Sequence, residues 1–108
     1  MKNLSSRRAK ALAISPETKK KVLARDQGIC VWCGRWGLPE AHYISRKKGG
    51  LGIEENILTL CRVCHDRYDH GDATDRWNRK LRFREYLQDK YPDWDESKLI
   101  YRKGEYNG

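Results

Sequence analysis

The chain has 108 residues, of which 38% are hydrophobic and 35% charged, and its Lys and Arg outnumber Asp and Glu by 23 to 15, for a net charge of +8. A chain this short is one domain that buries roughly two-thirds of its unfolded surface, so a covalent or metallic staple is expected to supplement its small core. No apolar run approaches the ~18 to 20 residues that span a bilayer, which excludes a membrane helix, and the surplus of cations makes nucleic acid the first partner to consider.

The opening MKNLSSRRAKALAIS is basic and lacks the continuous apolar stretch of a secretory signal. Residues 1–14 are expected to form a flexible basic arm that orders on DNA, and the chain to reside in a reducing cytoplasm. Ser15, Pro16 and Glu17 then provide an N-cap, an N1 proline and a first-turn acid, predicting a helix to about Asp26 that is anchored by Val22 and Leu23 and stopped by Gly28. ICVWCGRWG, residues 29–37, is the first cysteine knuckle, where Trp36 either packs on the knuckle or offers a platform for a nucleobase. EAHYIS, residues 40–45, suits a short strand, RKKGGLG is a glycine-rich basic turn, and IEENILTL leads to the second knuckle with Asn56 at a turn or junction.

CRVCHDRYDHG follows, with a helix expected from the second knuckle to Gly71. Asp72 or Thr74 can cap a last helix that runs to about Lys90, with Trp77, Leu81, Arg84 and Leu87 or Gln88 on one face. Trp77 and Leu81 are expected in the core, and Arg76, Arg79, Lys80 and Arg82 on a solvated face with DNA-backbone contact as the alternative. Tyr91-Pro92 ends the helix, and residues 91–108 form a tail of undetermined structure.

Cys30, Cys33, Cys61 and Cys64 make two C-x2-C pairs separated by 27 residues. In a reducing compartment this spacing predicts a tetrahedral structural zinc rather than disulfides, with a redox pair or an iron–sulfur cluster as lesser alternatives. Such a clamp turns the intervening segment into an excursion whose ends meet at the metal, drawing His42, Asn56 and His65 towards one another.

The order C-x2-C, AHYISRKKGG, EENILTLC and CH resembles the HNH endonuclease family, in the subset stapled by a four-cysteine zinc, over roughly residues 19–71. The resemblance implies an α+β fold with a zinc-stapled ββα-metal (HNH, or His-Me finger) core and flanking N- and C-terminal helices. The nuclease domain would span residues 15–90, with its motif core at 28–71. It implies metal-dependent hydrolysis of DNA phosphodiesters, by nicking or double-strand cleavage. His42 would act as general base, Asn56 would hold the His42 ring, and His65 would ligate a catalytic Mg²⁺, Mn²⁺ or other divalent transition ion. Arg46, Lys47, Lys48, Arg62 and Arg67 are expected to bind DNA phosphates.

The family's usual ligand just before the first histidine is replaced here by Ala41. Asp69, on geometry, or His70, on ligand type, is expected to complete the catalytic ion's coordination, with Asp66 a further possibility; each is otherwise a solvated surface group. The runner-up expectation is a zinc-stapled DNA-binding module of the same fold with weak or no catalysis. EYLQDKYPDWDESKL, residues 85–99, is similar to tails of small phage and prophage HNH proteins, which would place the chain in a bacterial host cytoplasm, with a phage terminase as partner.

Overall fold

A computed structural model describes residues 6–103. Four α-helices, α1 (Arg7–Leu12), α2 (Pro16–Asp26), α3 (Arg62–His70) and α4 (Ala73–Lys90), surround two strands, β1 (Leu38–His42) and β2 (Ile57–Leu60). The strands pair antiparallel, with Leu38 opposite Leu60, Ala41 opposite Leu58 and His42 opposite Ile57, and the register shifts between Leu38 and Ala41. That irregularity accommodates Pro39, which has no N–H to give to a ladder. Chain order around the sheet is strand, loop, strand, helix: an α+β arrangement with a cysteine cluster at one end. Among the described residues no helix is long and apolar enough to cross a membrane.

Local signals account for most of the boundaries. Ser15 accepts a hydrogen bond from the Thr18 N–H and Pro16 takes N1, so α2 starts where a capped helix must. It ends on Gln27, left-handed at φ 57°, with the Gly28 N–H returning to the Leu23 carbonyl at 3.0 Å. This closure satisfies the last carbonyls of the helix. Gly71 closes α3 through the Arg67 carbonyl, and Asp72 caps α4 by accepting from the Asp75 N–H.

The core lies between the sheet, α3 and α4, around Tyr43, Leu58, Leu60, Tyr68, Phe83 and Leu87. Tyr68 meets Phe83 edge-on at 5.0 Å, and its hydroxyl donates to the Tyr43 carbonyl at 2.6 Å. Arg25 and Asp26, at the end of α2, tie that helix to β2 and α4: Arg25 donates to the carbonyls of Glu54 and Ile57, and Asp26 accepts from the Thr59 N–H and the Tyr86 hydroxyl.

Three expectations are corrected. The segment read as a flexible arm is helical over Arg7–Leu12, capped by Ser6, with Ala11 and Leu12 buried against Leu51; residues 1–5 lie outside the described part. On α4 the buried stripe is Arg79, Phe83 and Leu87, spaced by four, while Trp77 is 54% and Leu81 38% exposed. Arg79, expected in solvent, is 3% exposed. The tail, whose structure the sequence left undetermined, forms a 3₁₀ turn at Glu96–Leu99, buries Leu99 and pairs with the basic loop through the Leu51 N–H to Leu99 carbonyl bond.

Candidate functional site

The two cysteine knuckles meet. Cys30 and Cys33 turn ahead of β1, Cys61 caps α3 and Cys64 sits in its first turn, and the four sulfurs lie within 4.8 Å of one another. Four sulfurs at ~2.3 Å from a tetrahedral zinc would be about 3.8 Å apart, and Cys33 Sγ and Cys61 Sγ are separated by 3.6 Å. These four residues could therefore bind a metal such as zinc. All four are free thiols, Cys30 and Cys64 buried and Cys33 exposed. Burial pushes the Cys64 thiol up to about 12. Burial also opposes ionisation of Cys61, but the Cys64 N–H aimed at its sulfur and the neighbouring thiols lower it to about 7.

Arg79 strengthens the fit. Its guanidinium is buried beside Cys64, bonded through Nε to Asp75 at 2.9 Å and stacked 4.5 Å over the Trp32 ring. Among the described residues its Nη1 has no hydrogen-bond partner. Zn²⁺ held by four thiolates would carry a net charge of about −2, and a buried cation beside Cys64 would offset part of it.

A cleft of about 1500 Å³ is lined in part by α3. β1 contributes Glu40 and His42, two residues apart and so on one face of the strand. The loop after β1 contributes Arg46, Lys47 and Lys48, α3 contributes His65, Asp69 and His70, and α4 contributes Arg76, Trp77 and Lys80. Six basic side chains, counting Lys19, line it against two carboxylates, Glu40 and Asp69, and Lys19 is paired with Glu40 at 3.7 Å.

His42 is 9% exposed, and its Nε2 lies 2.8 Å from the Leu12 carbonyl oxygen. A carbonyl can only accept, so Nε2 carries the proton and Nδ1 keeps its lone pair. Burial lowers the pKa of His42 below its ordinary 6.5, the Leu12 carbonyl opposes this, and Arg46 adds to the lowering. The ring is thus held neutral in one tautomer.

The sequence assigned that clamp to Asn56, and here the structure differs. Asn56 is wholly buried, accepts from the Ile44 N–H at 2.8 Å and donates to the carbonyls of Ile44 at 3.1 Å and Leu51 at 2.8 Å. It closes the base of the basic loop. The backbone there is packed so tightly that a Cβ on Gly50 would stand 1.7 Å from the Ile44 oxygen.

His65 Nε2 and Asp69 Oδ2 are 3.2 Å apart, one turn from each other on α3. Two ligands at ~2.1 Å on adjacent vertices of an octahedron are about 3 Å apart, so this pair could serve as cis ligands. His70 lines the same cleft but joins no group of three metal-binding side chains there; among the described residues the cysteines form the one such group. Ala41 is fully buried opposite Leu58, so its side chain serves the core. Arg62, Asp66 and Arg67 are exposed and do not line the cleft.

Sequence reasoning missed the Leu12 carbonyl, Lys19 and Trp77 as features of this cleft. Only Trp77 carried a signal: it precedes Phe83 by six residues, about 120° away around the helix, and so lies off the face that Phe83 holds. Comparison with protein-family models, with curated proteins and with solved structures finds no match.

Proposed function

We propose that this chain is a metal-dependent DNA endonuclease of the HNH type, with the four cysteines on a structural zinc and the cleft between β1, α3 and α4 as its active site. The observation that carries the reading is a buried, neutral imidazole with one free nitrogen, His42, sharing a cation-lined cleft with the adjacent donors His65 and Asp69.

Phosphodiester hydrolysis needs a water deprotonated, the charge on phosphorus oxygens neutralised and the 3′ oxygen released. His42 Nδ1 takes the proton from the attacking water as the new P–O bond forms and the bond to the 3′ oxygen breaks; that oxygen takes a proton from solvent, leaving a 5′ phosphate and a 3′ hydroxyl. The carbonyl of Leu12 holds the ring so that Nδ1 does not compete for its own proton. Arg46, Lys47 and Lys48, on a loop pinned by Asn56, bind the flanking phosphates. His65 and Asp69 would hold a divalent ion such as Mg²⁺ or Mn²⁺, which supplies Lewis-acid stabilisation of the scissile phosphate and leaving oxygen when bound.

Plasmid nicking in Mg²⁺, Mn²⁺ or Ni²⁺ tests this. Wild-type chain should convert supercoiled to open-circular DNA, and His42→Ala should slow it by about 10² to 10⁴-fold, the range a general base contributes. The burial of Ala41 in the core favours a second reading, a DNA-binding module whose ion site is too poor in ligands to cut. DNA binding without cleavage in every ion selects that module.

A further inference from the structure

We propose that Trp77 is a stacking platform for an unpaired nucleobase, and hence that the cleft takes DNA that is single-stranded or locally unstacked. The inference rests on reading the cleft as a DNA site and adds what kind of DNA enters it.

The argument starts from the two faces of α4. Arg79, Phe83 and Leu87 form its buried stripe. Trp77 precedes Arg79 by two residues, about 200° around the helix, and cannot share that stripe. It falls instead with Ala73 and Lys80, at spacings of four and three, and these three line the cleft together with Arg76. The indole is 54% exposed, although the core of this small chain has few large apolar side chains to spare.

The surroundings of that indole are charged and specific in kind. Arg76, held by its Nε bond to the Tyr68 carbonyl at 3.2 Å, and Lys80 flank it on α4. The same cleft is lined by Lys47 and Lys48 of the basic loop and by His42 and His65. Cations that follow a phosphate backbone, interleaved with an exposed aromatic ring, are what single-stranded nucleic acid requires, because every base has a face to stack and no base edge need be read. In an intact duplex the bases are stacked on each other and offer the ring no such face.

Equilibrium binding separates this from simple charge attraction. The zinc-loaded full chain, without added Mg²⁺ or Mn²⁺, is titrated into a fluorescent 20-mer as single strand and as duplex, and anisotropy is read at several salt concentrations. Trp77→Ala should weaken the single strand about tenfold, as stacking on one aromatic side chain does, and change the duplex less than twofold. Trp77→Phe should keep most of the single-strand affinity, and the salt slope of Trp77→Ala should match wild type, since no phosphate contact is lost. Unchanged single-strand affinity in Trp77→Ala, an equal loss on both DNAs, or a wild type that binds no single strand overturns the inference. Nicking by wild type and by His42→Ala is scored separately. A chain that grips single strands through Trp77 yet cuts nothing retains this inference and removes the endonuclease reading.

Discussion

Asp26 receives four donors within a few ångströms: Arg25 Nε at 2.7 Å, Arg25 Nη2 at 2.8 Å, the Thr59 N–H at 3.0 Å and the Tyr86 hydroxyl. Burial alone would raise its pKa, but the Arg25 and Tyr86 bonds prevail and hold the carboxyl below its ordinary 3.8. One side chain thus joins α2 to β2 and α4. Removing it leaves the Arg25 guanidinium buried without its counter-charge, and Asp26→Ala should cost about 3 to 5 kcal/mol in urea unfolding. A folded pKa below the unfolded one makes the stabilisation complete above pH 3.8 and drains it as the pH falls through the folded value. The stability gap between wild type and Asp26→Asn should therefore be constant near neutrality and shrink in acid. A gap that widened there would reverse the sign and refute the assignment.

At the scale of elements, those with a local signature were legible. Ser15-Pro16-Glu17 opens α2, Gly71-Asp72 separates α3 from α4, and the paired cysteines announce their own convergence, because caps and metal ligands write their requirements into neighbouring letters. The α4 stripe was misread because Arg79, a charged side chain expected on the solvated face, is buried and stacked on Trp32. α1 was read as part of an arm because residues 1–14 are basic and have no clear periodicity outside AKALAI; what orders it is tertiary. Leu12 packs on Leu51, the Gly52 N–H bonds the Ala11 carbonyl at 2.9 Å, and Arg8 reaches the Arg46 carbonyl at 3.3 Å. The clamp on His42 was invisible for a related reason: it is a backbone carbonyl, which every residue has. α1 is therefore part of the site, and Gly52 is where to test it. A Cβ there would stand 2.0 Å from the Ala13 oxygen, so Gly52→Ala must push the end of α1 away. The expected result is a loss of about 1 to 3 kcal/mol, together with a ¹⁵N imidazole spectrum in which His42 no longer holds one tautomer. A spectrum identical to wild type would detach α1 from His42.

For the molecule as a whole, the decisive quantity is how little else holds it. The apolar core is shared among a two-strand sheet and helices whose outer faces are charged, and only one of the 108 residues is Phe. Domains of this size are stable by about 5 to 15 kcal/mol, whereas a structural zinc contributes about 10 to 16 kcal/mol of binding free energy to the peptides it folds. The cysteine clamp joins the turn before β1 to the first turn of α3, and so fixes where the strand bearing His42 and the helix bearing His65 and Asp69 begin. Fold and cleft should then fail together. The purified chain should carry one equivalent of zinc, and its removal by a chelator, or Cys30→Ser, should abolish the helical circular dichroism. Readdition of zinc to the chelated chain should restore the signal, since the thiols remain free to close on the ion. Far-ultraviolet dichroism retained after measured release of the metal would show that the core suffices alone, and the cysteine cluster would then need another explanation than the staple that a small, charge-rich chain requires.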